Sequence, residues 1–118
     1  MIKLNSATIT ISNFWEFIEQ HQGETFLTKK GLPFTDVVKG GELFTDRRER
    51  SITRSTFEKA YEKLVADRSG EVPSCRIVGP KTLNMYGAPY IWAVFVGIGF
   101  IVETGEYGEG AEQMTLFT

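Results

Sequence analysis

A chain of 118 residues that is 42% hydrophobic, 13% aromatic and 24% charged can build one core but not two ordinary domains, and it is too apolar for a disordered chain. Its formal net charge of -2 excludes a surface that is basic all over, yet residues 28–54 carry seven Lys/Arg against four Asp/Glu, and the stretch from Glu103 onward carries four glutamates and no cation. The single cysteine, Cys75, excludes an internal disulfide and the opening MIKLNSATITIS lacks a secretion-signal core, so the expected compartment is a reducing cytoplasm.

Taken in chain order, residues 7–11 (ATITI) show the β-branched alternation of a short strand. SNFWEFIEQHQG follows, with Asn13 and Glu16 at capping-box spacing and Phe14, Phe17 and Ile18 on one face of a predicted helix that Gly23 ends. ETFLTKKGLPFTDVVKGGELFTD reads as strands broken at Lys30-Gly31 and Gly40-Gly41. The second break is a two-residue hairpin signal, because both central positions call for positive φ. A small antiparallel sheet is the consequence.

Ser55 and Glu58 repeat the capping-box spacing, and Phe57, Ala60, Tyr61, Leu64 and Val65 fall on one helical face. They predict a helix of about three turns, ending near Asp67 before Ser69-Gly70. Residues 75–78 read as a strand, and Gly79-Pro80 opens a short helix with Pro80 at its first position. In the apolar run after Gly87, β-branched and aromatic residues favour a strand, whereas Pro89 in a first turn and Gly97 after the last favour a helix. The expectation is a buried helix over 88–96, then a strand near 100–104 and an acidic, glycine-rich tail, mobile or an edge strand. The whole run, 88–102, falls short of the roughly 20 residues that cross a bilayer, so no membrane partner is expected.

Some chemistries lack the spacing or the number of ligands they need, and others lack only a local signature. Gly97-Ile98-Gly99 has Val102 where a dinucleotide loop needs its third glycine, and no phosphate-loop G-x-x-x-x-G-K-[ST] occurs. His21 and Cys75 are the only imidazole and thiol, too few for structural zinc. Neither a His21 with Cys75 pair nor the Glu16 and Glu19 pair has a catalytic signature around it. No catalytic residue, metal or cofactor is therefore assigned.

The basic constellation is the leading candidate site. Arg47, Arg48, Arg50 and Arg54 can hold phosphates through charge and planar donor forks, with Ser51, Thr53 and Ser55 adding hydroxyls near a helix start. Lys29, Lys30 and Lys81 are further candidates for the same surface. The alternative is a solvated helix entrance, in which Arg47 and Arg50 pair with Asp46 and Glu49 and Ser55 serves as a cap. A second constellation, Tyr86, Tyr90, Trp92 and Phe95, suits core, a dimer interface or a ligand pocket, and less well a stacking surface for bases.

TFEKAYEKLVAD, GPKTLNMY and GAPYIWAVFVGIGFIV resemble the helix, helix, turn, helix and strand of winged-helix DNA-binding domains, over about residues 55–104. The resemblance implies nucleic-acid binding, but the helix that would read bases, 88–96, has no Arg, Lys, Asn or Gln. FLTKKGLPFTDVVKGGELF, RSITRSTFEKAY and GPKTLNMYGAPYIWAVF are also similar to small bacterial proteins carried by mobile gene cassettes, a resemblance that implies no activity.

The sequence therefore predicts a single α+β domain, a small antiparallel sheet packed with about four helices and a C-terminal half like a winged helix. It reads as a non-enzymatic binding module with two alternatives. One is weakly specific nucleic-acid binding through the arginine segment. The other is a homodimeric protein-interaction or small-ligand module that uses the aromatic segment 88–96.

Overall fold

The structure, a computed structural model, describes residues 2–47, 50–69 and 77–103. In chain order these form β1 (Ile2–Leu4), α1 (Phe14–Gln20), β2 (Thr25–Leu27), β3 (Pro33–Lys39), β4 (Glu42–Thr45), β5 (Ile52–Thr53), α2 (Arg54–Ser69), α3 (Pro80–Leu83), α4 (Ala88–Gly97) and β6 (Ile101–Glu103). Strands β2 to β5 make an antiparallel meander, and β1 pairs with β6 in a separate two-stranded ribbon. The described residues thus form one α+β domain, with two small sheets where the sequence suggests one.

Local chemistry sets the meander. Gly40 and Gly41 take φ of 56° and 80°, the positive pair a two-residue hairpin requires. They place Lys39 opposite Glu42 and Val37 opposite Phe44. Alternation along the strands then buries Phe26, Phe34, Asp36, Leu43 and Ile52 on one face of the sheet.

Helix α4 packs on that face. Ile91, Trp92, Ala93, Val94 and Phe95 are all buried, which is why apolar residues surround this helix. Two glycines allow the close approach: a Cβ at Gly97 would stand 2.4 Å from the Phe26 ring, and one at Gly87 would stand 2.6 Å from the Ile52 side chain. On another side of α4, Phe95 meets Phe14, Phe57 and Phe100 edge-on at centroid distances of 6.2, 5.8 and 5.1 Å. Tyr61 stacks on Phe100 at 4.4 Å and donates its hydroxyl to the Ile9 carbonyl at 2.8 Å. Side chains from α1 and α2 therefore complete the core around α4.

Residues 7–11 are turns rather than a strand. Asn13 Oδ1 accepts the Thr10 N–H at 2.7 Å and Asn13 Nδ2 donates to the Thr8 carbonyl at 3.1 Å, so one side chain folds the segment back locally. These bonds leave Asn13 with no helix-capping bond, which removes the first expected capping box. The strand at this end is β1, with Ile2 opposite Glu103 and Leu4 opposite Ile101.

The second expected cap also moves. Thr53 Oγ1 accepts the Thr56 N–H at 3.3 Å, so Thr53 caps α2 and Ser55 lies within its first turn. Helix α2 continues past Asp67 to Ser69. Ile77 and Val78 are irregular rather than a strand. Ile77 is held through its backbone, its N–H donating to Asp67 Oδ2 at 3.0 Å and its carbonyl accepting from Arg68 Nη2 at 2.6 Å. Cys75 and the expected tail lie outside the described residues. The helix read over 88–96 and the Pro80 helix start are both present. Among the described residues, no helix is long and apolar enough to cross a membrane.

Candidate functional site

The turn between β2 and β3 is closed by Thr28, whose Oγ1 accepts the Leu32 N–H at 3.0 Å, and by Gly31 at φ 85°. This turn presents Lys29 and Lys30. Across from it, Thr82 Oγ1 accepts the N–H groups of Val78 and Gly79 at 3.1 and 3.2 Å, which fixes the start of α3 and with it Lys81. The first residues of α4 complete the wall, and the Tyr90 ring is braced edge-on by Phe34 at 5.0 Å.

These three segments surround one open cleft of about 730 Å³, a size within the roughly 300–1,000 Å³ of small-molecule sites. Its apolar lining includes Leu32, Val78, Met85 and Tyr90, with Lys29, Lys30 and Lys81 as its cations. Three of the basic residues singled out in the sequence thus meet one of the aromatics, although Lys29 and Lys30 lie far from Lys81 and Tyr90 along the chain.

The cleft's charge is unevenly committed. Lys29 Nζ donates to Glu103 Oε2 at 2.7 Å, and the same oxygen accepts the Trp92 Nε1–H at 3.2 Å. Burial alone would raise the Glu103 carboxyl, but the bonds from Lys29 and Trp92 and the Lys29 charge outweigh it and hold the group below its ordinary value. Lys30 and Lys81 are exposed and take part in no ion pair among the described residues. The backbone N–H groups of Ala88, Tyr90 and Ile91 bond to the carbonyls of Met85 and Gly87. Positive charge at this wall of the cleft therefore comes from lysine side chains rather than from open amides of α4.

Among the described residues, Arg47, Arg50 and Arg54 do not line this cleft, and each is held by a different partner. Arg47 Nε donates to the Pro33 carbonyl at 2.7 Å, beside a separate recess bordered by Thr25, Thr35 and Asp46. The Arg50 guanidinium lies 4.3 Å over the Tyr86 ring, while Tyr86 Oη donates to the Arg50 carbonyl at 2.9 Å. Arg54 pairs with Glu58 at 3.2 Å. Arg48 and Glu49 lie outside the described residues. The hydroxyls expected to help are engaged too: Thr53 bonds the Ser55 and Thr56 hydroxyls at 3.0 Å, and Ser51 donates to Glu42. Asp46 Oδ1 accepts the Thr35 N–H at 3.0 Å.

The aromatic set divides. Trp92 and Phe95 are 1% and 0% exposed and belong to the core. Tyr86 belongs with Arg50, and Tyr90 alone of the four lines the cleft.

A further titratable group is buried beneath the meander. Asp36 is 2% exposed; its Oδ1 accepts the Gly23 N–H at 3.0 Å, and its Oδ2 has no hydrogen-bond partner among the described residues. Burial pushes its carboxyl above the ordinary value, more than the Gly23 bond lowers it. His21 Nδ1 donates to the Phe17 carbonyl at 2.8 Å, which orients the ring at the end of α1. No group of three or more His, Cys, Asp or Glu suited to a metal ion occurs among the described residues.

Sequence reasoning missed Thr28, Leu32, Val78 and Met85 as cleft residues and Glu103 as the partner of Lys29. The available signal was the Lys29-Lys30-Gly31 turn, a paired cation on a tight loop next to an apolar residue. Comparison with known proteins found no family model, no curated protein and no solved structure that matches the chain.

Proposed function

We propose that the protein is a non-enzymatic binding module whose cleft takes a small amphipathic anion, an apolar body carrying an acidic group. The observation that carries this reading is the convergence of Lys29, Lys30 and Lys81 on an apolar cleft bordered by Tyr90. An apolar body gains by leaving water, and an acidic group at its edge gains from the exposed ammonium groups. Naphthoate and its uncharged amide are suitable probes, followed by calorimetry and by backbone amide shifts. Naphthoate is expected to bind more tightly than the amide, to shift residues 28–32 and 78–90, and to lose about tenfold in affinity in the K30A/K81A variant, where two exposed charges each contribute modestly. Equal binding of acid and amide, or no shift at these residues, rules the reading out.

Nucleic-acid backbone binding is the second reading, favoured by the exposure of Arg47, Arg50 and Arg54 between the end of β4 and the start of α2. Contacts of this kind would be phosphate contacts with little sequence choice, because Trp92 and Phe95 of α4 are enclosed in the core. A low-salt mobility shift with single- and double-stranded DNA and RNA tests it. Binding that weakens with salt and is lost in R47A/R50A/R54A, but not in K30A/K81A, would favour this reading over the first.

A further inference from the structure

Among the described residues, Glu103 is the carboxylate that pairs with a cation of the cleft. It lies at the end of β6, is bonded to Lys29 at 2.7 Å, and is oriented from the core by the Trp92 indole at 3.2 Å. Lys29 in turn lines the cleft, whereas Lys30 and Lys81, which also line it, have no carboxylate partner among the described residues. A fixed carboxylate therefore neutralises one ammonium group of the cleft, and among the described residues the other two have no carboxylate partner.

We infer that Glu103 is a specificity-determining residue of the cleft: by occupying Lys29 it narrows the site's preference for dianions over ligands with a single negative charge. This rests on the small-ligand reading above. The physical reason is that Coulomb attraction scales with ligand charge, so a neutralised lysine costs a dianion twice the free energy that it costs a monoanion. A ligand that seeks all three lysines must also draw Lys29 away from a carboxylate already in place.

The test compares naphthoate with naphthyl phosphate, the latter a dianion at about pH 8, on the wild-type protein and on Glu103→Gln. Glutamine can still accept the Trp92 N–H through its amide oxygen, and the Trp92 indole resonance reports whether that bond survives. E103Q is expected to tighten naphthoate about threefold and naphthyl phosphate about tenfold at low salt, an effect that shrinks as salt screens it. The double variant K29A/E103Q, which restores two uncompensated ammonium groups, should return both affinities close to wild type.

Equal tightening of the two probes, or none, with naphthoate still binding the wild-type cleft, overturns the role of Glu103 and leaves the small-ligand reading standing. Failure of both probes to bind either protein overturns both.

Discussion

Gly97 presses its bare Cα side against the ring of Phe26, so that a Cβ at this position would fall 2.4 Å from two ring carbons. Phe26 is buried and stacks on Phe34 at 5.6 Å, which leaves the ring little room to yield. Gly97→Ala should gain about 1 kcal/mol of helix propensity but lose about 1–3 kcal/mol to overpacking. Urea unfolding should show a net loss, and in a Phe26→Ala background the same substitution should be neutral or stabilising. Unchanged stability of G97A in the wild-type background would show that the ring moves freely.

The cap of α2 distinguishes the structure from the sequence pattern. Thr53 holds the Thr56 N–H, whereas Ser55 is already inside the first turn. Thr53→Ala is therefore expected to cost about 1 kcal/mol and Ser55→Ala only a few tenths. Thermal denaturation of the two variants measures the difference, and the reverse ranking would restore Ser55 as the cap.

Asp36 and Glu103 bend the pH dependence of stability in opposite directions. Burial raises the Asp36 carboxyl, so its contribution is most favourable below the unfolded-state value of about 3.9 and is lost as pH rises through the raised folded value. Asp36→Asn keeps an oxygen for the Gly23 N–H and removes the buried charge. It should add about 1–2 kcal/mol near neutral pH and nothing below the unfolded-state value. Equal unfolding midpoints for D36N and wild type near neutral pH would contradict the charged, uncompensated Oδ2.

For Glu103 the shift is downward, so its contribution is present above the unfolded-state carboxyl value and is lost as pH falls through the lowered folded value. Glu103→Gln should therefore be less stable than wild type near neutral pH and converge with it in acid. The half-exposed Lys29 limits the size of the effect. A destabilisation that stays constant across the acid range would point to lost packing instead of lost charge.

Tyr61 ties the turn after β1 to the core, because its buried hydroxyl donates to the Ile9 carbonyl. Tyr61→Phe keeps the stack on Phe100 and leaves that carbonyl without its donor, an expected loss of about 1–2 kcal/mol. Hydrogen exchange should show faster opening of residues 5–13 than of α4, and equal protection of both would separate the hydroxyl from the turn.

What the sequence revealed depended on how far apart the interacting residues lie. The helical face of Phe57, Ala60, Tyr61 and Leu64 and the Gly40-Gly41 hairpin are local patterns, and both are present. The ATITI segment misleads because strand propensity needs a partner strand, and here Asn13 bonds the backbone of Thr8 and Thr10 instead. The pairing of Ile2–Leu4 with Ile101–Glu103 leaves no short-range trace at all. The candidate site follows the same rule. Lys29, Lys30, Lys81 and Tyr90 are visible as residue types, but that they share a cleft while Arg47, Arg50 and Arg54 do not is a product of tertiary packing.

The β1 and β6 ribbon also imposes an order of events during synthesis. Ile2–Leu4 is made before every other described element, yet its partner strand, Ile101–Glu103, leaves the ribosome after all of them. The hairpins of β2 to β5 and helix α2 can form from neighbouring chain alone, while the ribbon must wait for a closure that spans the domain. Phe100, buried against Tyr61 and Phe95, arrives with that last strand. A nascent chain stopped before Phe100 should therefore hold its meander while its first strand and the centre of its core stay open.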